Sequence, residues 1–292
     1  MPTGEAGDPL GVDPSARGVL THRRTIPAVS RDHFGGVTVV AEGPVGRLRL
    51  DRPDGRSVID YPLLSGLIEA AAWFDARDDV RVVVVESAGK VFCSGFNAFD
   101  PGPIPLDGSV GAGVDIGRLA MNAVTAMRAL TIARVHGRAR GGGVVLALAC
   151  DLQVVAADAV LSMPEAHMAL PIPWATLPRL VRQIGPMRTR DLVLTAREFS
   201  GEDAGRWGLA TQVVPAADLD AAVDSLAAAV VTTPQLVVDQ VLAEVDRLAE
   251  SVATTGDGTG DVERVLAAAA DPGCQAARDA YMAGWAERQS TR

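Results

Sequence analysis

Three short runs of this 292-residue chain hold residue types that could do chemistry. Gly89-Lys90-Val91-Phe92-Cys93-Ser94-Gly95-Phe96-Asn97 follows the apolar stretch Val82 to Val85. Gly137-Arg138-Ala139-Arg140-Gly141-Gly142-Gly143 lies between a strand-like and a helix-like segment. Met163-Pro164-Glu165 comes just after another short strand-like stretch. A glycine-rich turn lets backbone approach a ligand closely, because no Cβ intervenes. Glycines that open a helix leave its first N–H groups unpaired at the positive end of the dipole. Two such turns facing each other make a pair of donors for an oxygen that becomes negative during reaction. A carboxylate across the cavity could then move a proton.

Each run alone also has a plain structural explanation. The glycine triplet lacks the Lys-Ser/Thr of a P-loop and the G-x-G-x-x-G of a dinucleotide turn. Cys93 reads as a small packed side chain, since nothing beside it in sequence would lower its pKa. A lone glutamate such as Glu165 is usually a surface carboxylate.

The segments that must position these runs read as an α/β core. Val37 to Ala41 is β-branched, and Val45 to Asp51 alternates Leu48 and Leu50 with Arg47 and Arg49, as a half-buried strand does. Gly43-Pro44 between them predicts a hairpin. Asp60 followed by Pro62 predicts a helix start. Leu63, Leu64, Leu67, Ile68, Ala71 and Phe74 then share one helical face. Val82 to Val85 predicts a strand covered on both faces. Residues 100–113, rich in Pro and Gly, predict a loop. Strands are also predicted near Ile132 to Val135 and Leu152 to Ala156, with a buried helix over Val144 to Ala149. Three regions result: a flexible extension over residues 1–35, a core over 36–215, and a helical region over 216–292. A Gly/Thr/Asp loop over 254–261 interrupts the last.

Composition narrows the class. Apolar residues make up 48% and charged residues 22%, which excludes global disorder. The net charge of −9 predicts no nucleic-acid partner. Lys90 is the only lysine, so any lysine chemistry rests on it. Cys93, Cys150 and Cys274 are odd in number and lack C-x-x-C spacing, which supports neither a disulfide framework nor a zinc site. With no signal-like start and no long apolar run, the expectation is a cytoplasmic protein without a membrane span.

The order and spacing of the three runs resemble the crotonase superfamily, the enoyl-CoA hydratase/isomerase family. The likeness runs from about Val37 to Pro215. It takes in Asp51-Arg52-Pro53, the Cys-Ser-Gly-Phe-Asn turn, the glycine triplet through Cys150-Asp151, and Met163-Pro164-Glu165. It continues through Ile184-Gly185, Gly201-Glu202-Asp203-Ala204 and Gly208-Leu209-Ala210. The resemblance implies a spiral of ββα units with a helical C-terminal trimerisation region, and a homotrimer or homohexamer. It implies an acyl-CoA ligand, with coenzyme A as part of the substrate and no separate cofactor or metal. The family's oxyanion hole falls on the amides of Phe96 and Gly142, and its acid–base glutamate on Glu165. Ser94, Gly95, Gly141, Val145, His167, Trp174 and Lys90 would surround the substrate, with Phe96 lining the acyl pocket and Lys90 near the CoA phosphates.

The family's hydratases carry a second glutamate two residues past the third glycine, where this chain has Val145. Two carboxylates can hold and activate a water, whereas one more naturally shuttles a proton between two carbons. An isomerase-type reaction is therefore expected, with Ile172-Pro173-Trp174 similar to an apolar segment of that branch. The dehalogenase branch needs an aspartate after the glutamate, and Pro171 to Thr176 contains no acid. Hydration, carbon–carbon bond formation or decarboxylation through an enolate, and non-catalytic acyl-CoA binding stay open. The last is motivated by Val145 and by Asn97, where the family usually has Asp. If the stretch around Glu165 is extended, His167 shares its face. His136 reads as structural, and Arg134, Arg138 and Arg140 as phosphate contacts or solvated charges.

Overall fold

A computed structural model describes residues 29–53, 55–98, 100–103, 108–253 and 260–290, the last six without their side chains. The chain begins with three antiparallel strands, β1 (Val29–Phe34), β2 (Val37–Glu42) and β3 (Val45–Leu50). The hairpin expected at Gly43-Pro44 is present. A second one precedes it, turning at Gly35 (φ 53°) and Gly36 (φ 94°), the positive values a tight two-residue turn requires. Strand β1 corrects the expected extension over 1–35: from Val29 the chain pairs residue for residue with β2. Its side chains are mostly exposed. Backbone pairing alone marks it as a strand, so its sequence shows no alternation. The expectation for residues 1–28 lies outside the described residues.

Helix α1 (Tyr61–Asp75) starts where expected. Asp60 accepts the Leu63 N–H at 2.9 Å, and Pro62 occupies a first-turn position where no N–H is needed. Strand β4 (Val82–Ser87) is buried throughout. Helix α2 (Val110–Thr125) begins inside the stretch expected to be a loop, because the Ser109 hydroxyl caps the Ala112 N–H at 3.1 Å. Residues 100–103, 108 and 109 of that stretch form neither helix nor strand, and 104–107 lie outside the described residues.

The core then repeats one pattern. A strand joins the large sheet, a shorter one joins a small sheet, and a helix follows. Strand β5 (Leu130–Val135) leads to β6 (Arg138–Arg140) and α3 (Gly142–Leu148). Strand β7 (Leu152–Ala156) leads to β8 (Val160–Ser162), a 3-10 turn over Pro164–Met168, and α4 (Thr176–Thr195), which breaks at Gly185. Strand β9 (Phe199–Ser200), α5 (Gly201–Trp207) and β10 (Gln212–Val214) close the series. The large sheet has the order β1-β2-β3-β4-β5-β7-β10, parallel from β3 onward, and the small one β6-β8-β9. Crossovers run through the helices, as parallel strands demand. This is the spiral of ββα units that the sequence led us to expect.

Among the described residues, no strand follows β10. Helix α6 (Leu219–Thr232) lies on the large sheet through buried Leu219, Val223 and Ala227. Helices α7 (Gln235–Val252), α8 (Asp261–Ala270) and α9 (Pro272–Ser290) complete the chain. The expected interruption over 254–261 lies mostly outside the described residues, and Asp261 itself opens α8. No single described helix is long and apolar enough to cross a membrane. Only α6 and α7 taken together across a 108° bend reach that length and hydropathy.

Candidate active site

Three backbone bonds hold the first run against the second and the residue just before it. Phe92 N–H donates to His136 O (3.0 Å), Cys93 N–H to Arg138 O (3.1 Å), and Arg140 N–H to Cys93 O (3.0 Å). On the other side, Ile59 N–H donates to Gly95 O (2.9 Å) and Asn97 N–H to Ile59 O (2.8 Å). Gly95, at φ 91°, is pressed against the second run. A methyl there would stand 2.5 Å from Arg140 O and 3.7 Å from the Gly142 nitrogen. The amides of Phe96 and Gly142 thus belong to adjoining turns, and neither has an acceptor among the described residues. The Gly142 amide is free because it opens α3. His136 holds the same region from behind, with Nε2 2.9 Å from Gly89 O.

Glu165 comes from the 3-10 turn, anchored by buried Met163 and Pro164 and closed by Ala169 at φ 49°. Its carboxylate lies against Gly141, where a methyl would be 2.4 Å from Oε1. Oε2 is buried and has no hydrogen-bond partner among the described residues. Burial pushes the carboxyl up to about 7, opposed by Glu165's own N–H and, less strongly, by the Arg140 charge. A carboxyl so placed can hold or release a proton near neutral pH.

These elements line one cavity of about 460 Å³. Ser94, Gly95, Phe96, Gly141, Gly142, Val145, Glu165 and Trp174 all border it. Val145 is 2% exposed and presents an apolar side chain where a second acid would stand. Glu165 is the only carboxylate on the wall among the described residues. Two residues expected around the substrate do not line this cavity. His167 is exposed and off the wall: the segment is a 3-10 turn, not extended, so residues two apart point to different sides. Lys90 is also exposed and does not line the cavity. Cys93 is fully buried, and its thiol is pushed up to about 12, which removes it as a nucleophile.

Trp174 is 5% exposed and both packs and lines. Its ring meets Phe96 edge-on at 5.5 Å, and Phe96 in turn meets Tyr61 edge-on at 5.5 Å. A methyl on Gly142 would be 2.8 Å from the indole, and one on Gly117 of α2 would be 2.0 Å from it. Trp174 (φ 68°) and Ala175 (φ 53°) are consecutive left-handed residues, a conformation costly without glycine. The buried carboxylate of Asp261 holds this turn, accepting the Ala175 N–H at 3.0 Å.

The sequence reading missed Tyr61, Tyr281, Val265, Gly117 and Asp261. Arg140, read from sequence as a phosphate contact or a solvated charge, is half-buried on the wall. One signal was in the composition. The chain has two tyrosines, and both line this cavity. Among the described residues, no group of His, Cys, Asp and Glu is placed to hold a metal ion.

A ββα spiral with a glutamate facing two glycine turns defines a class of enzymes that act on acyl-CoA thioesters. Comparison with known proteins agrees. The sequence model of the enoyl-CoA hydratase/isomerase family matches residues 41–263, and the chain belongs to that family. It is 32% identical over 200 residues to a peroxisomal Δ(3,5)-Δ(2,4)-dienoyl-CoA isomerase of Arabidopsis thaliana, covering 64% of this chain and 71% of that protein. An enoyl-CoA hydratase of Mycobacterium avium subsp. paratuberculosis shares the fold at TM-score 0.74 and 20% identity, over 85% and 95% of the two chains. A candidate enoyl-CoA hydratase of Thermobifida fusca, solved in complex with CoA, matches at TM-score 0.67 and 27% identity, over 86% and 95%. The protein is therefore an enzyme of the hydratase/isomerase family.

Proposed function

We propose that this enzyme moves a double bond within an enoyl-CoA, using Glu165 as its one acid–base group. The Glu165 carboxylate removes a proton from C2 of a 3-enoyl-CoA. The electron pair flows onto the thioester oxygen, where the amides of Phe96 and Gly142 stabilise the dienolate. The protonated Glu165 then returns the proton to C4, giving the 2-enoyl-CoA with no other reactant consumed. One observation carries this reading: Glu165 is the only carboxylate on the cavity wall among the described residues, and Val145 stands where a water would need its second partner.

Parallel assays on 3-enoyl-CoA and crotonyl-CoA test it. Isomerisation is expected to dominate, and Glu165→Gln to reduce it by about 10²–10⁴-fold while acyl-CoA still binds. Full turnover by that variant would remove Glu165 as the base. Water addition that outpaces isomerisation would replace the reading by hydration, and binding without turnover across thioesters would replace it by a carrier role.

The same proposal includes a homotrimer or a dimer of trimers. Val237, Val241, Val245, Leu248 and Val252 form an exposed apolar stripe along α7, each at least 46% exposed. Such a stripe supports self-association. Light scattering of the full chain checks it, and a monomer at micromolar concentration would overturn it.

A further inference from the structure

The cavity wall is mostly apolar, yet it carries two guanidinium groups, Arg56 and Arg140. Arg56 already has a partner. Arg140 does not have one of matching charge: among the described residues, no carboxylate lies within the 4.0 Å of an ion pair. The arginines before it in sequence differ in this. Arg138, two residues earlier on β6, pairs with Glu198 at 2.9 Å, and Arg134 of β5 pairs with Asp220 at 2.5 Å. Among the described residues, the one hydrogen bond of the Arg140 side chain is long, 3.5 Å to the Tyr281 hydroxyl of α9. A half-buried cation in apolar surroundings is costly until an anion meets it. Guanidinium geometry suits a carboxylate or phosphate with two parallel N–H donors.

Resting on the reading of Glu165 and the two amides given above, we propose that the acyl group of the substrate carries its own carboxylate, which pairs with Arg140 and accepts the Tyr281 hydroxyl. The substrate class is then a dicarboxylic acyl thioester. The position of Arg140 favours this over a phosphate of CoA. Arg140 directly precedes Gly141, where a methyl would stand 2.4 Å from Glu165 Oε1, and Gly142, whose amide has no acceptor among the described residues. The guanidinium charge is also felt by Glu165. The cation thus sits at the reacting end of the thioester, and the whole pantetheine arm separates that end from the phosphates.

The test compares Kd for glutaryl-CoA, hexanoyl-CoA and free CoA by calorimetry, which needs no turnover. The wild-type protein is expected to bind glutaryl-CoA at least tenfold more tightly than hexanoyl-CoA, a difference of about 1.4 kcal/mol. Arg140→Gln is expected to bring the two within about twofold of each other, with hexanoyl-CoA and free CoA affinity held. Tyr281→Phe, a milder change, is expected to narrow the preference by a few-fold. No wild-type preference for glutaryl-CoA would overturn the proposal whether or not the variants fold. Arg140→Gln weakening both thioesters and free CoA alike would also overturn it and assign Arg140 to a phosphate. In both cases the double-bond chemistry would stand. Failure of all three ligands to bind would remove that reading together with this one.

Discussion

Asp261, at the start of α8, accepts the backbone N–H of Ala175 through Oδ2 at 3.0 Å, and so fixes a turn that lies far from it in sequence. That turn holds Trp174 at φ 68°, against Phe96 and Gly142. A residue of the C-terminal helices therefore sets one wall of the cavity. Arg264 steadies the other oxygen of Asp261 from one helical turn on. Asp261→Ala leaves the buried Ala175 N–H without an acceptor, which costs about 1–3 kcal/mol. We expect a lower urea midpoint and a raised KM. Asp261→Asn, which keeps an acceptor oxygen, is expected to lose less of both. Equal behaviour of the two variants would mean that charge, not the hydrogen bond, holds the turn.

The pH dependence follows from the Glu165 carboxyl, raised by burial from 4.5 to about 7. As a base it must be ionised. kcat/KM for isomerisation is therefore expected to rise about tenfold per pH unit below 7 and to level off above it. A flat profile from pH 5 to 8 would exclude Glu165 as the ionising base. Stability runs the opposite way. Between 4.5 and 7 the folded protein holds a proton that the unfolded chain has released, so stability falls as pH rises through this window. Glu165→Gln carries no such charge. It is expected to melt above the wild type at pH 8, by at most about 3 kcal/mol at 1.36 kcal/mol per unit, and level with it near pH 4.

Gly141 (φ 48°, ψ −116°) is required for two reasons. Its backbone disfavours any L side chain, and a methyl would stand 2.4 Å from Glu165 Oε1. Gly141→Ala is expected to reduce kcat at least tenfold, beyond a stability loss of about 1–3 kcal/mol. Gly117→Ala instead pushes on the indole of Trp174, so its main effect should fall on KM and chain-length preference. Steady-state kinetics on a series of thioesters separates the two.

Val145→Glu supplies the second carboxylate that water activation uses. Hydration of crotonyl-CoA is expected to rise above the wild-type background. The buried position makes the variant less stable, by about 0.5–3 kcal/mol. Product analysis by mass would show it as the gain of one water. No gain in a folded variant would mean that position 145 does not decide between hydration and isomerisation.

Much of the fold was legible because it is local. Asp60 and Pro62 mark the start of α1, Gly43-Pro44 turns a hairpin, and Val82 to Val85 is uniformly apolar because both sides of β4 are covered. Strand β1 was not legible: its side chains face mostly solvent, and only pairing with β2 defines it. The start of α2 was hidden for a related reason, since one capping hydroxyl, Ser109, outweighs the surrounding Gly and Pro.

The site divides along the same line. Sequence by itself determined the family, the two glycine turns, Glu165 and the apolar residue at 145, because these sit in contiguous runs whose spacing is their signature. Tertiary structure alone decided the rest. It sent His167 outward on a 3-10 turn, left Arg140 without an ionic partner among the described residues, brought Tyr61 and Tyr281 to the cavity, and set Asp261 under the turn that carries Trp174. Those residues are separated by much of the chain, and a contact made only by packing leaves no period or spacing in the sequence.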